Sequence, residues 1–535
     1  MNSQNPNLHS AKGDVWIWST SAAFAFILLI VASLIGIVMI NGLGVFWPHA
    51  VYQATLRDGR TVIGEIVKRE AVPNTPGSRL QFKIGNRDLN GLDYLWVPET
   101  NMITLVRSPD LVVVERLEHG NFYGVLTDVI FAGRSESTGD RWVQLEKALR
   151  QTRDALRPVR QLADKLYRLS QTHEQLRLKW LKHKYRFGDQ TPQVRIIERE
   201  QTLLKEAMNH VATEQEKRLT EIRQTGIIMK DAAGREKTIA CADMVRAYRP
   251  NRDSLFEKGI LYAEKLGELL SAEPRESNTE GGIFPALFGT ILMVFLMSLL
   301  SFPLGVMGGI YLREYAKEGW LVKTVRIAVN NLAGIPSIVF GVFGLGFFVY
   351  GVGGSIDALF FPERLPTPTY GTGGILWASL TLGLLTIPVV IVSTEEALGA
   401  IPRGIQESSL ALGATQFQTL TRLLLPMASP GILTGFILAM ARAAGEVAPL
   451  MITGVVKLAP TMPFDGVAPF FHPERKFMHL GFHIYDIGFQ SPNVEAAKPM
   501  VYITALLLVL VVLLMTSSAI FLRNRMKQRY TVKTL

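Results

Sequence analysis

The chain predicts an α-helical membrane protein of six spans with an α+β insertion, a small β-rich unit plus a long helical hairpin, between the first two. Two observations carry this. Six long apolar runs occur, at 15–40, 283–311, 327–350, 373–394, 430–455 and 499–522, and about 20 residues at about 1.5 Å each suffice to cross a bilayer core. Between the first two runs lies a polar, charge-rich block, so the whole-chain values of 48% apolar and 19% charged average over two unlike regions. The implied organisation is a tail (1–14), a first transmembrane helix (15–40), an insertion domain (41–282), a core holding transmembrane helices 2–6 (283–522) and a basic tail (523–535).

The first run is too long for the apolar stretch of a signal peptide. Its N-terminal flank carries only Lys12 and no small-residue cleavage site follows, so it reads as an uncleaved anchor. Orientation follows from Lys and Arg in short loops. Arg523, Arg525, Lys527, Arg529 and Lys533 mark the C-terminus as cytoplasmic, and Arg313, Lys317, Lys323 and Arg326 mark the 312–326 loop likewise. The 351–372 loop on the other side has only Arg364, while 456–498 is more mixed. Six spans then put the N-terminus inside too and the insertion outside, in the periplasm of a bacterium.

Within the insertion, residues 50–135 read as short strands. Leu80, Phe82 and Ile84 alternate, and Arg57-Asp58-Gly59-Arg60 is a hairpin turn signal. A similar turn, Asp231 to Arg235, lies between Ile227-Ile228-Met229 and Thr238-Ile239-Ala240, and the phrases 103–109 and 244–250 resemble one another. A duplicated β-unit is one reading. Residues 140–225 differ: Leu145, Leu149, Thr152, Leu156, Val159, Ala163 and Leu166 follow coiled-coil spacing, and Ile197, Leu204, Met208, Val211 and Leu219 form a second seam. Gly188 to Pro192 turns the chain between them. This predicts an antiparallel helical hairpin with arms of about 50 Å each, the first kinked at Pro158. It serves either as a partner contact or as a rigid spacer.

The third span opens with Asn330 and Asn331, followed by Gly334, Pro336, Ser337 and Gly341. These are helix-packing positions, where small residues admit a neighbouring backbone and a hydroxyl bonds across helices. The fifth span places Arg442 and Glu446 at its centre. Ions inside a bilayer face a cavity or a partner, and i, i+4 spacing puts both on one face. Two readings stay open: a pair lining a translocation route, with Arg442 presenting a cation to an anion, or a lock on helix packing across a subunit interface.

Between the fourth and fifth spans, Glu407, Ser408, Ser409, Gly413, Leu425 and Pro426 form a short polar loop. Glu407 caps a short helix electrostatically or meets a basic groove of a partner. Gly413 permits a tight turn, and Pro426 and Pro430 end the loop and start the next span.

The spacing of Glu407-Ser-Ser, Gly413 and Leu423-x-Leu425-Pro426 is similar to the E-A-A loop of importer permeases of the ATP-binding cassette (ABC) class. Together with Ala333 to Gly341, Glu396 to Arg403, Pro430 to Gly435 and Ala441 to Leu450, it resembles the permeases of high-affinity phosphate importers, of the PstA type. The likeness covers roughly 283–525. It implies a type I ABC importer permease fold and import of inorganic phosphate through a heterodimer with a second phosphate permease. It further implies two cytoplasmic ATP-binding subunits that use the ATP, and a periplasmic phosphate-binding protein. The 395–429 loop would enter a cleft of the ATPase, with Glu407 and Gly413 at its core. Ser408 and Ser409 stand where alanines are commonest, and the long insertion exceeds the family's minimal form. Rival readings are a permease for molybdate or sulfate, or a membrane scaffold or sensor working through the hairpin.

Other chemistry lacks its residues. There is no Gly-x-x-x-x-Gly-Lys-Ser/Thr loop to cradle ATP phosphates, so the chain reads as a transport subunit without its own ATPase site or cofactor. Lone Cys241 rules out an internal disulfide. His472, His479 and His483 lack the companions of a metal motif, and no paired carboxylates or nucleophile elbow stand out. The net charge of +10 comes with no nucleic-acid module.

Overall fold

Among the described residues of the computed structural model, six helices are long and apolar enough to cross a membrane: Trp16–Gly44, Phe284–Tyr315, Ser337–Phe360, Ile375–Gly399, Gln416–Gly445 and Val494–Gln528. The structure describes residues 10–71, 77–135, 139–466, 468–491 and 494–530. Residues 1–9 of the N-terminal tail and Lys533 of the basic tail lie outside them. The expected fold class is found, with a β-rich and helical domain inserted between the first and second spans.

Two span boundaries differ from the sequence reading. The third span starts at Ser337, not 327, because Trp320–Leu332 is a separate amphipathic helix with no buried residue, and the chain turns at 333–336 before Pro336 leads into the next helix. The fifth span is displaced further. Instead of 430–455 it runs from Gln416 to Gly445, passing through both prolines expected to precede it. Pro430 cannot donate to the Pro426 carbonyl four residues back; the Ser429 hydroxyl donates to that oxygen instead, at 2.8 Å. At the other end Pro449 has no N–H for the Gly445 carbonyl, and the helix stops there.

The fourth span is the central one, packed against the second and fifth. Small residues set these contacts: a Cβ on Gly305 or Gly309 would lie 2.6 or 2.5 Å from the Cβ of Val390 or Thr394, and one on Gly431 would lie 2.6 Å from that of Ala397. Lipid supplies no hydrophobic drive between helices, so close backbone approach carries the packing. The first span touches the core mainly along the sixth, at Gly42 beside the Tyr502 carbonyl.

The insertion holds two β-units of one topology. The first comprises β1 (Val51–Leu56), β2 (Thr61–Ala71), β3 (Ser78–Lys83), β4 (Tyr94–Pro98) and β5 (Met102–Val106), ordered β4-β3-β2-β1-β5. The second comprises β6 (Leu111–Arg116), β7 (Phe122–Phe131) with the short β8 (Arg134–Ser135), then β9 (Gly226–Lys230), β10 (Glu236–Ala240) and β11 (Met244–Tyr248), ordered β10-β9-β7-β6-β11. In each unit the long second strand shifts register midway, at 66/68 and 126/128, and a single 3-10 turn precedes the last strand. The phrases 103–109 and 244–250 both fall on last strands. The two turns compared in the sequence are not equivalent: Asp58-Gly59 joins first strand to second, whereas 231–235 joins third to fourth.

The hairpin is spliced between β8 and β9. Its arms are unequal: Arg141–Phe187 has 47 residues and Pro192–Arg223 has 32, or about 70 and about 48 Å. The first arm stays helical through Pro158. Leu145, Thr152 and Val159 are buried one heptad apart, while Ala163 is exposed and Leu162 takes the inner position. At its base Leu145 and Ala148 join the core of the second β-unit with Val129, Ile227 and Cys241. Burial pushes the Cys241 thiol up to about 11, so it stays protonated. Farther out, the Tyr167 hydroxyl donates to Asp465 at 3.0 Å and Gln175 Nε2 to the Ala468 carbonyl at 3.2 Å. The first arm therefore rests on the loop between the fifth and sixth spans.

Candidate functional site

The loop between the fourth and fifth spans is a tight helix-turn-helix. Arg403–Ala411 forms the first helix. Its end is a Schellman motif: the Ala414 N–H donates to the Ser409 carbonyl (3.2 Å) and the Gly413 N–H to the Leu410 carbonyl (2.9 Å). That motif needs a left-handed residue, and Gly413 supplies it at φ +87°. Thr415 then caps the next helix in a reciprocal box with Gln418, and this helix runs on unbroken into the fifth span. Gly413 and Thr415 thus bend the loop without leaving backbone groups unpaired.

Side-chain bonds tie the loop and the neighbouring amphipathic helix to the spans. Gln406 Nε2 donates to Glu314 at the end of the second span (2.9 Å). Arg326, on the amphipathic helix, donates to the Leu312 carbonyl (2.8 Å) and pairs with Glu395 of the fourth span (3.1 Å). Ser409 and Thr419 share a hydroxyl bond across the turn (2.9 Å), whereas Ser408 bonds back to Gly404. Beneath them Leu398, Leu420, Leu424, Ala428 and Ile432 form a buried cluster, against which Leu425 packs with Phe302 and Ile310. Gln406 thus ties the loop to the second span, and the chain itself joins it to the fourth and fifth. Sequence reasoning missed Glu314, Arg326, Glu395 and Gln406, since their partners are far along the chain.

The outer surface of the loop is apolar where it turns. Leu412, in the turn, is 90% exposed, and Phe417, at the start of the fifth span, 67%. Glu407 is exposed and without a hydrogen-bond or ion-pair partner among the described residues. Large apolar side chains exposed together are a feature of protein contacts.

Arg442 and Glu446 are joined as expected, Nε to Oε1 at 3.3 Å. Their place differs: the helix ends at Gly445, Glu446 is extended (φ −77°, ψ 129°), and the pair lies about 39 Å along the helix from Gln416. Arg442 is the more exposed partner, at 38%. The Ala448–Thr453 helix that follows packs on Ser337–Phe343, where a Cβ on Gly341 would fall 2.7 Å from Pro449 Cα. Pro336 precedes that helix; Gly334 and Ser337 are at least partly exposed and make no such close contact in this chain.

His479 serves as a helix cap, its Nδ1 accepting the Gly481 N–H at 3.1 Å. Burial lowers its pKa to about 3 and that of His483 to about 4, so both are neutral. Beside them Asp486, almost fully buried, pairs with Lys457 at 3.2 Å.

Residues 301–529 match the family described as binding-protein-dependent transport system inner membrane component. Over 223 residues the chain is 33% identical to the probable ABC transporter permease protein YqgI of Bacillus subtilis (strain 168), covering 40% of this chain and 70% of that protein. The chain belongs to this permease family. It is also 33% identical over 198 residues to the probable permease YqgH of the same organism, covering 37% of this chain and 60% of YqgH. The probable phosphate transport system permease protein PstA of Methanocaldococcus jannaschii is 33% identical over 191 residues, with 35% of this chain and 61% of that protein covered. The chain thus spans between 60% and 70% of the length of these relatives. The permease match takes in the whole 403–426 loop and the Arg442–Glu446 pair, and it leaves out the β-units and hairpin.

Proposed function

We propose that this permease is the membrane-spanning subunit of an ATP-driven importer that carries inorganic phosphate across the inner membrane. The observation that carries the reading is the 403–426 loop, capped at its turn and tied to the second span, with exposed apolar side chains at its tip. Such a tip needs a partner, and a lever joined to three spans needs something to push it. Two cytoplasmic ATP-binding subunits fill both needs. Both termini and this loop are then cytoplasmic, with the insertion domain in the periplasm, in keeping with the basic residues of the tail.

Support for the substrate comes from relatives named as phosphate transport permeases and from the Arg442 guanidinium. A phosphate-binding protein delivers the anion to a cavity between this chain and a second permease subunit. ATP-driven closure of the motor pair then moves the loop, the attached spans tilt, and access switches from outside to inside. Arg442, held by Glu446, offers the passing anion a cation that is already oriented; the binding protein supplies most of the selectivity.

The test is radiolabelled phosphate uptake in cells lacking other phosphate permeases, with molybdate and sulfate as competitors. Phosphate uptake that neither competitor reduces, lost in Arg442→Ala with unchanged protein in the membrane, is the expected result. Molybdate- or sulfate-dependent uptake would overturn the substrate, and normal uptake by Arg442→Ala would overturn the role of the pair.

A further inference from the structure

The free end of the helical hairpin carries a charge that the rest of the chain does not answer. Residues 176–199 hold seven Lys and Arg against two acids, Asp189 and Glu198, an excess of five. Both acids are engaged within the hairpin, Asp189 by Lys184 at 2.9 Å and Glu198 by the Trp180 indole at 3.1 Å. Among the described residues, no side chain of 176–199 has a hydrogen bond or ion pair outside the hairpin.

The supports of the hairpin fix where that end lies. Both β-units at its base line one cavity with Ile40 of the first span and Met500 of the sixth. The first arm itself packs on Pro362–Arg364, just past the end of the third span at Phe360. Two supports at the height of the span ends lay the arm along the face of the permease. Its end at Phe187, about 18 Å beyond Gln175, is therefore carried sideways over the bilayer surface. Its lower side follows from the contacts. Tyr167 and Gln175 meet the loop between the fifth and sixth spans. At about 3.6 residues per turn, Tyr185 stands about five turns beyond Tyr167, and Lys182 and Arg186 about two and three turns beyond Gln175. The side that rests on the permease thus continues as Lys182, Tyr185 and Arg186, all exposed.

We propose that the hairpin tip docks on the anionic phospholipid surface beside the permease, with Lys182 and Arg186 on lipid phosphates and Tyr185 at the headgroup level. Basic side chains near a bilayer are drawn to anionic headgroups, and a tyrosine ring suits the interface between water and hydrocarbon. A soluble acidic protein would approach the opposite, solvent side of the arm. Docked in this way, the hairpin braces the two loops beneath it against the bilayer itself.

The experiment uses the purified full chain in nanodiscs, with a fluorophore on Gln193→Cys at the tip; Cys241 is buried and protonated and does not compete for the label. A headgroup spin-labelled lipid quenches the fluorophore only where the tip lies at the surface. Quenching about fivefold stronger in discs containing phosphatidylglycerol than in phosphatidylcholine alone is expected. The preference should vanish in the double variant Lys182→Glu, Arg186→Glu, whose fold is checked by thermal unfolding. It should also vanish for the unreversed tip at about 0.5 M salt, where exposed charges are screened, so the test stands even if the double variant does not fold. Absence of quenching in both discs, as when another protein holds the tip, would overturn the proposal. Equal quenching in the two discs, or an unchanged preference in the folded double variant, would overturn the recognition of anionic lipid.

Discussion

Replacing Gly413 with alanine isolates the backbone of the 403–426 loop. At φ +87° a residue with a Cβ costs about 1–2 kcal/mol. A Cβ there would meet nothing within 4 Å, so no packing clash adds to that figure. The penalty falls on the turn that holds the 2.9 and 3.2 Å Schellman bonds. Since each 1.4 kcal/mol is tenfold in an equilibrium, affinity for the proposed ATP-binding partner should fall about 5- to 30-fold. Asparagine tolerates the left-handed region and should recover most of the loss. Gly404→Ala is the control: it lies on the same helix, in open space and without positive φ, and should change affinity less than twofold. The assay is partner binding to the permease in nanodiscs, with thermal unfolding in parallel. Wild-type affinity in Gly413→Ala, or an equal loss in Gly404→Ala, would refute the backbone argument.

Leu412→Ser and Phe417→Ser remove the exposed tip; both should abolish co-purification of the ATP-binding subunit while leaving the melting temperature within a degree or two, and retention of the partner would count against the docking role. Asp357, buried at the end of the third span, accepts backbone N–H groups from Thr369, Tyr370 and Gly371 at 2.6–3.0 Å. Asp357→Ala should cost about 2–3 kcal/mol, read as a lower melting temperature. His479 and His483 give a pH dependence of known sign. Their folded pKa values are depressed to about 3 and about 4, so the unfolded chain binds protons first, and stability present above about pH 6.5 is lost as pH falls. At pH 5 the loss is about 2 kcal/mol for each, and a double replacement by glutamine should flatten the melting-temperature profile between pH 7 and 5.

Much of the fold was legible because its signals are local. Six apolar runs, the heptad seams of the hairpin and the turn at Gly188–Pro192 each lie within a short stretch of chain. The loop motif was legible for the same reason: Glu407, Gly413 and Pro426 sit at fixed spacing. The fifth span was misplaced because prolines read as helix starts, whereas the helix continues through Pro430, with the Ser429 hydroxyl on the Pro426 carbonyl. Arg442 and Glu446 were matched correctly as a pair and wrongly as a helix centre, because the missing N–H of Pro449 acts four residues upstream.

Local chemistry by itself determined the number of spans, the inserted domain, the hairpin and the glycine-hinged loop, because apolar length, heptad period and turn residues act on near neighbours. Tertiary structure alone decided what these parts hold. It joined Gln406 to Glu314 and Arg326 to Glu395, and laid the hairpin on Asp465. Those pairs are separated by up to some three hundred residues, and polar side chains buried at such distances choose partners by shape and charge after the helices have packed.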